Sequence, residues 1–301
     1  MRAVGLLLIY FFGIFLGAAL IAPWVYYLFQ SLAEGNSAFQ PWANYPFHRF
    51  VHRCLLFLAI FGLWPFLRSL GIRQWKDLGL TPVALHYKKA PAGFLIGFGS
   101  LAAFALMAVF FGARTIHLRH TGNTLALDLV GATFTAIVVA FLEESLFRGV
   151  LFGALRKNNP WPHALFLSSA IYALLHFFGK PETPIAINWS SGFVTLASMF
   201  GGFADWEMLV PKLFNLFIVG VILGFAFQRT GNLYFSIGLH AGWIFWLKSY
   251  GLLTKKTPEM TTWIWGRGKI IDGWLATVVL LFVFGFLFID NQNKKQCLDV
   301  A

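Results

Sequence analysis

Long, near-continuous apolar stretches organise this chain, with no sustained two-residue alternation and no heptads. A helix needs about 20 mostly apolar residues to cross a hydrocarbon core. Eight windows meet that requirement, at about 4–29, 50–70, 91–112, 124–153, 161–179, 211–229, 231–249 and 270–289. They predict an all-α fold, a polytopic transmembrane helical bundle of about eight spans. No period of 20–50 residues repeats, and no low-complexity linker divides the chain. The longest interruption, 180–210, mixes Pro and Gly with an apolar middle. It carries Trp189, Phe193, Leu196 and Phe200 at roughly helical spacing. That spacing predicts a short amphipathic helix at the membrane interface, either a connector packed on the bundle or a lid over a site. The pairs Gly149/Gly153 and Gly220/Gly224 mark places where helix backbones can approach closely.

Composition strengthens the membrane reading. Hydrophobic residues make up 58% of the chain and charged residues 12%, against roughly 45–50% and about 25% in soluble domains. The formal net charge of +11 would suggest nucleic acid in a soluble protein. Here the basic residues cluster between spans, as in Arg73, Lys76, Lys88 and Lys89, where anionic lipid headgroups are the natural partner. No basic-aromatic pattern reads as nucleic-acid binding. Lysines and arginines balance across the two sides of an eight-span topology, so the positive-inside rule assigns no orientation. The first window opens with Arg2 and has small residues near Ala18 and Ala22, but its apolar run exceeds a signal-peptide core, so a span is expected. Cys54 and Cys297 make neither a disulfide framework nor a zinc spacing. The terminal CLDVA is one residue too long for a prenylation box.

Against this background FLEESLFRGV, 141–150, is anomalous: the chain holds only 12 Asp and Glu, and two stand side by side in an apolar run. Charges at bilayer depth cost a few kcal/mol and usually face a protein interior or a wet cavity. Glu144 and Arg148 are i and i+4 on one helical face, acid before base, the favourable order for a pair. Glu143 lies about 100° around the helix with no i+4 partner, since residue 147 is Phe. A packing role explains one Glu with the Arg; the second Glu is surplus. Of the eight histidines, only His176 and His240 lie deep in predicted spans. Glu143, His176 and His240 can all reach the middle third of the membrane, so one polar cluster is geometrically reasonable. Such a cluster can bind zinc. Without a metal, the carboxylate can take a proton from water while an imidazole orients the water or stabilises an oxyanion. Residue types alone leave both schemes open.

EESLFR at 143–148 resembles the EExxxR motif of the CPBP family, the CAAX-protease and bacteriocin-processing intramembrane endopeptidases, also called the ABI family. SSAIYALLHF at 168–177 resembles the family's FxxxH motif, with Tyr172 where Phe is typical. GVILGFAFQRTGNLYFSIGLHAGW at 220–243 is similar to the segment leading to the third motif histidine, His240. The resemblance divides the chain into N-terminal transmembrane helices at 1–123, a CPBP-like catalytic core at 124–249, and a C-terminal transmembrane helix and tail at 250–301.

The resemblance implies peptide-bond hydrolysis within an intramembrane cavity. Carried over to this chain, Glu143 is the water-activating base assisted by His176. Glu144 and Arg148 support them, and His240 helps form the oxyanion site. It further implies a glutamic mechanism with no metal or other cofactor, a membrane-associated protein or peptide as substrate, the lipid bilayer as surroundings, and a bacterial cytoplasmic membrane as location. The family pattern often continues HxxxN, whereas the i+4 position from His240 is Ile244. Either another donor substitutes or catalysis is weakened: Asn215 and the Trp243 indole are candidate donors, although Asn215 reads better as an interfacial helix start. The departure also favours an alternative, a non-catalytic membrane scaffold such as an immunity or regulatory partner. A proton-coupled transporter would use the same carboxylates, but no inverted repeat supports it.

Overall fold

A computed structural model describes residues 2–82, 86, 88–177, 183–184, 186–203, 206–267 and 269–299. Eight long helices stand where the apolar windows lie. They are α1 (Arg2–Gly35), α2 (Phe47–Ser69), α3 (Lys89–Phe110), α4 (Gly122–Glu144), α5 (Trp161–Leu175), α7 (Trp206–Thr230), α8 (Tyr234–Leu253) and α9 (Trp274–Asp299), with the short α6 (Ser191–Ser198) between α5 and α7. Five helical stretches among the described residues are long and apolar enough to cross a membrane: those within α1, α2, α3 and α7, and α4 with its continuation to Arg156. Phe12, Phe57 and Leu127 remain largely exposed on these helices, and so does Phe282 on α9, as lipid-facing side chains should. The protein is a helical integral membrane protein.

Two compact units make up the chain, one from 1–73 and 177–205, the other from 74–176 and 206–301. In the first, α1 packs on α2 around Ala18, Ala22, Phe47, Val51 and Cys54. The α6 helix buries Ser191, Gly192 and Thr195 while Trp189, Val194 and Phe200 point outward. A Cβ at Gly192 would fall 2.0 Å from the Ala19 carbonyl, so α6 lies directly on the α1 backbone. Of the residues whose spacing suggested an amphipathic helix, Trp189 and Phe200 flank α6 and are exposed, Phe193 is half-buried, and Leu196 packs against the α1–α2 core.

The second unit is built around a pair of helices running in the same direction, α3 and α8. Gly93 and Gly97 of α3 meet Phe235 and Leu239 of α8, and Gly238 and Gly242 of α8 meet Ala90 and Phe94 to Phe98 of α3. An ideal Cβ at Gly238 would sit 1.9 Å from the Ala90 carbonyl, so only glycine permits this approach. A short antiparallel ribbon, β1 (Arg114–Ile116) with β2 (Thr254–Lys256), joins the C-terminal ends of the two helices. Arg114 fastens it, donating to Thr254 Oγ1 at 2.7 Å and Thr254 O at 2.8 Å.

The α4 axis does not end where its α-helical geometry does. Ser145–Phe152 continues as a π-helix and Gly153–Arg156 closes as one α turn. Gly153 N–H reaches back five residues to Arg148 O. Widened turns of this kind occur mostly as short insertions, often at functional sites. This one begins immediately after Glu144.

Candidate active site

Glu143, Glu144, Arg148, His176 and His240 all lie in the second unit. Glu143 and Glu144 close the α-helical part of α4, and Arg148 sits within the π-helical turn. His176 is the residue that ends α5, nearer that helix's end than its placement within a 161–179 span implied. His240 lies between Gly238 and Gly242 of α8, so the tight α3–α8 crossing fixes its depth and direction. The TGNL turn sets where α8 begins. Gly231 adopts φ +65°, a left-handed conformation that glycine tolerates best, and Asn232 Oδ1 accepts from Tyr234 N at 3.3 Å.

These side chains converge. Glu143 Oε2 is 3.5 Å from His176 Nε2 and 3.9 Å from His240 Nε2. Glu144 is fully buried and Arg148 is 3% exposed, with Arg148 Nη1 donating to Glu144 Oε1 at 2.8 Å. Arg148 Nη2 also donates to Gly220 O at 3.3 Å. Its guanidinium lies over the Tyr172 ring, 4.6 Å from the centroid. The arginine therefore ties α4 to both α5 and α7. Glu144 has a further partner that helix geometry did not reveal: His240 Nδ1 lies 2.9 Å from the same Oε1.

Hydrogen bonding settles which ring nitrogens carry protons. His176 Nδ1 donates to Tyr172 O at 2.8 Å, because a carbonyl oxygen can only accept. His240 Nδ1 donates to the Glu144 carboxylate. In their neutral forms both imidazoles therefore present an Nε2 lone pair towards Glu143. A carboxylate oxygen and two imidazole lone pairs brought this close can accept the two hydrogens of a single water molecule. The same three atoms are the natural test of a zinc site. No group of three His, Cys, Asp or Glu among the described residues is arranged to hold a metal ion.

Both expected replacements for the missing asparagine are engaged elsewhere. Asn215 Nδ2 donates to Ile271 O at 2.9 Å and Gly273 O at 3.0 Å, and its Oδ1 accepts from Thr277 at 2.6 Å. It fastens α7 to the turn before α9. Trp243 Nε1 donates to Ser100 Oγ at 3.0 Å, across the α3–α8 contact. Ile244 packs with Ala136, Ala140 and Ala241. The residue that sequence reasoning passed over is Tyr172. Its hydroxyl lies 3.4 Å from His240 Nε2, the side chain is 2% exposed, and its ring lies tilted against the His176 ring with centroids 4.3 Å apart. The signal was present: Tyr stands where the second motif usually has Phe, in a chain that also lacks the third motif's Asn.

Residues 123–246 match the family model described as type II CAAX prenyl endopeptidase Rce1-like. The core of this membrane protein is CAAX-protease-like. The matched stretch contains Glu143, Glu144, Arg148, Tyr172, His176 and His240, and the match agrees with the CPBP resemblance of the three motifs. No curated protein and no solved structure matches the chain.

Proposed function

We propose that this protein is an intramembrane endopeptidase of the glutamic, metal-free type, acting on a membrane-associated protein or peptide. The observation that carries the reading is the approach of Glu143 Oε2 to His176 Nε2 and His240 Nε2, at 3.5 and 3.9 Å, inside a unit with apolar walls. A water held between Glu143 and His176 gives one proton to the carboxylate as its oxygen attacks the scissile carbonyl. His176 accepts the other hydrogen of that water as a hydrogen bond and so aims it. Collapse of the tetrahedral intermediate breaks the C–N bond, and Glu143 returns its proton to the leaving amine. Glu144 and Arg148 do not touch the reacting atoms. They hold His240 beside the carbonyl oxygen and offset each other's charge in a dry environment. A bacterial cytoplasmic membrane suits an enzyme of this design.

The test is cleavage of an internally quenched, farnesylated CaaX peptide by the full chain in proteoliposomes, compared with Glu143→Gln. The variant should lose cleavage by orders of magnitude. Zinc content of the purified protein and its response to chelators decide the metal question: stoichiometric zinc with chelator-sensitive cleavage overturns the metal-free mechanism.

A further inference from the structure

The geometry points to the Tyr172 hydroxyl as the oxyanion donor of this site, in place of the asparagine that Ile244 has displaced. This inference rests on the endopeptidase reading above. An oxyanion site needs donors aimed at the oxygen on which charge develops. In its neutral form His240 cannot be one, because its single proton is on Nδ1, committed to Glu144 at 2.9 Å. Its Nε2 then offers a lone pair, and the Tyr172 hydroxyl, 3.4 Å away, is placed to donate to it. A phenol O–H remains a donor whichever protonation state the histidine adopts.

The hydroxyl is also well fixed. Phe147 meets the tyrosine ring edge-on at 4.9 Å, the Arg148 guanidinium covers it at 4.6 Å, and the His176 ring lies at 4.3 Å. All three contacts involve residues of the first two motifs, the first of which contains Glu143, so the positioning of the base and the positioning of the phenol are one arrangement. Tyr172 and His240 both border a cavity of about 40 Å³ whose other walls are apolar, among them Leu101, Val219 and Leu280. That volume exceeds the roughly 10–15 Å³ that one water requires. Space for a small group therefore exists against the Tyr172 and His240 side chains.

The alternatives are structurally occupied: Asn215 and Trp243 donate to Ile271, Gly273 and Ser100. In the reaction, water oxygen forms the new bond to the carbonyl carbon and the carbonyl π pair moves to oxygen. Tyr172 O–H shifts its hydrogen bond from His240 Nε2 to that oxygen, and the proton stays on the phenol. When the intermediate collapses, the electron pair returns to the carbonyl, the C–N bond breaks and the hydroxyl swings back. The 3.4 Å resting distance is that of a weak bond, easily exchanged for a shorter one to an oxyanion.

Tyr172→Phe removes the hydroxyl and keeps the ring with its three contacts. In proteoliposomes with the quenched farnesylated CaaX peptide, kcat should fall roughly 100- to 1,000-fold with KM nearly unchanged and with the parent's thermal unfolding. If Tyr172→Phe cleaves like the parent while Glu143→Gln is inactive, the assignment of Tyr172 is wrong and the endopeptidase reading stands. If KM rises and kcat is retained, Tyr172 serves substrate binding only, and the oxyanion role is overturned. If the parent cleaves neither this peptide nor a panel of unprenylated membrane-protein segments, both readings fall together.

Discussion

Glu144 Oε1 accepts from Arg148 Nη1 at 2.8 Å and from His240 Nδ1 at 2.9 Å. One carboxylate oxygen thus links the arginine of α4 to the histidine of α8. Removing one partner from a buried ionic pair costs about 3–5 kcal/mol, because the other charge is left uncompensated. Glu144→Ala should destabilise by that order and release the His240 ring, so both folding and cleavage suffer. Glu144→Gln keeps an acceptor for the imidazole and should be milder in stability. Thermal unfolding in detergent checks this: an unchanged midpoint for Glu144→Ala would show that the bridge holds nothing.

Glu143 should behave in the opposite way. Its side chain is 26% exposed, and its Oε2 makes no hydrogen bond of ordinary length among the described residues. Glu143→Gln should therefore leave the unfolding midpoint close to the parent's while cleavage disappears. The pair of neighbouring glutamates then separates into a stability phenotype at Glu144 and an activity phenotype at Glu143. Where a cellular phenotype depends on this protein, full complementation by Glu143→Gln would favour the non-catalytic scaffold instead.

The Glu144–Arg148 pair was legible in the sequence, because the two fall one turn apart and Glu143 does not share their face. The eight helices were legible for a similar reason: uninterrupted apolar stretches leave few other solutions in a bilayer. The His240–Glu144 bond was not legible, since it joins residues 96 positions apart and depends on the rotation of two helices. The π-helical turn after Glu144 has no compositional mark. Gly93/Gly97 and Gly238/Gly242 were visible as letters, but small-xxx-small spacing is common in membrane helices. Only the reciprocal fit between α3 and α8 distinguishes these four from Gly149 and Gly153.

The fit at α3–α8 makes its own prediction. A methyl at Gly238 would meet the Ala90 carbonyl, and one at Gly97 would meet the Leu239 carbonyl at 2.2 Å. Neither neighbour is a side chain that can rotate away, so the helices must separate. Gly238→Ala should destabilise by at least the roughly 1–3 kcal/mol typical of overpacking and displace His240 two residues along. Gly99→Ala on α3, where nothing lies within 4 Å of the added atom, is the control and should not destabilise. Unfolding midpoints and cleavage rates of the two variants give the comparison.

On the proposed mechanism, His240 sets the phenol and the carbonyl oxygen in line, a contact that a bound ground-state substrate scarcely uses. His240→Ala should lower kcat with little change in KM, the pattern of an interaction made mainly in the transition state. Cleavage at the parent's rate would remove His240 from the oxyanion site altogether.

Ile244 offers the sharpest separation between what a motif suggests and what the structure allows. Restoring the asparagine of the family pattern would be expected to restore a donor. On α4, however, Ala136, Ala140 and Glu144 succeed one another at turn spacing. Ile244 packs with Ala136, Ala140 and Ala241, while His240 on the preceding turn meets Glu144. Position 244 therefore faces the alanine side of α4. An amide placed there would be buried without a partner and should destabilise by roughly 1–3 kcal/mol. Ile244→Asn should lose stability without gaining activity, and it should not rescue Tyr172→Phe. Cleavage by the Tyr172→Phe, Ile244→Asn double variant decides the matter: recovery of kcat would place the asparagine at the oxyanion and require α8 to be rotated from the position described here.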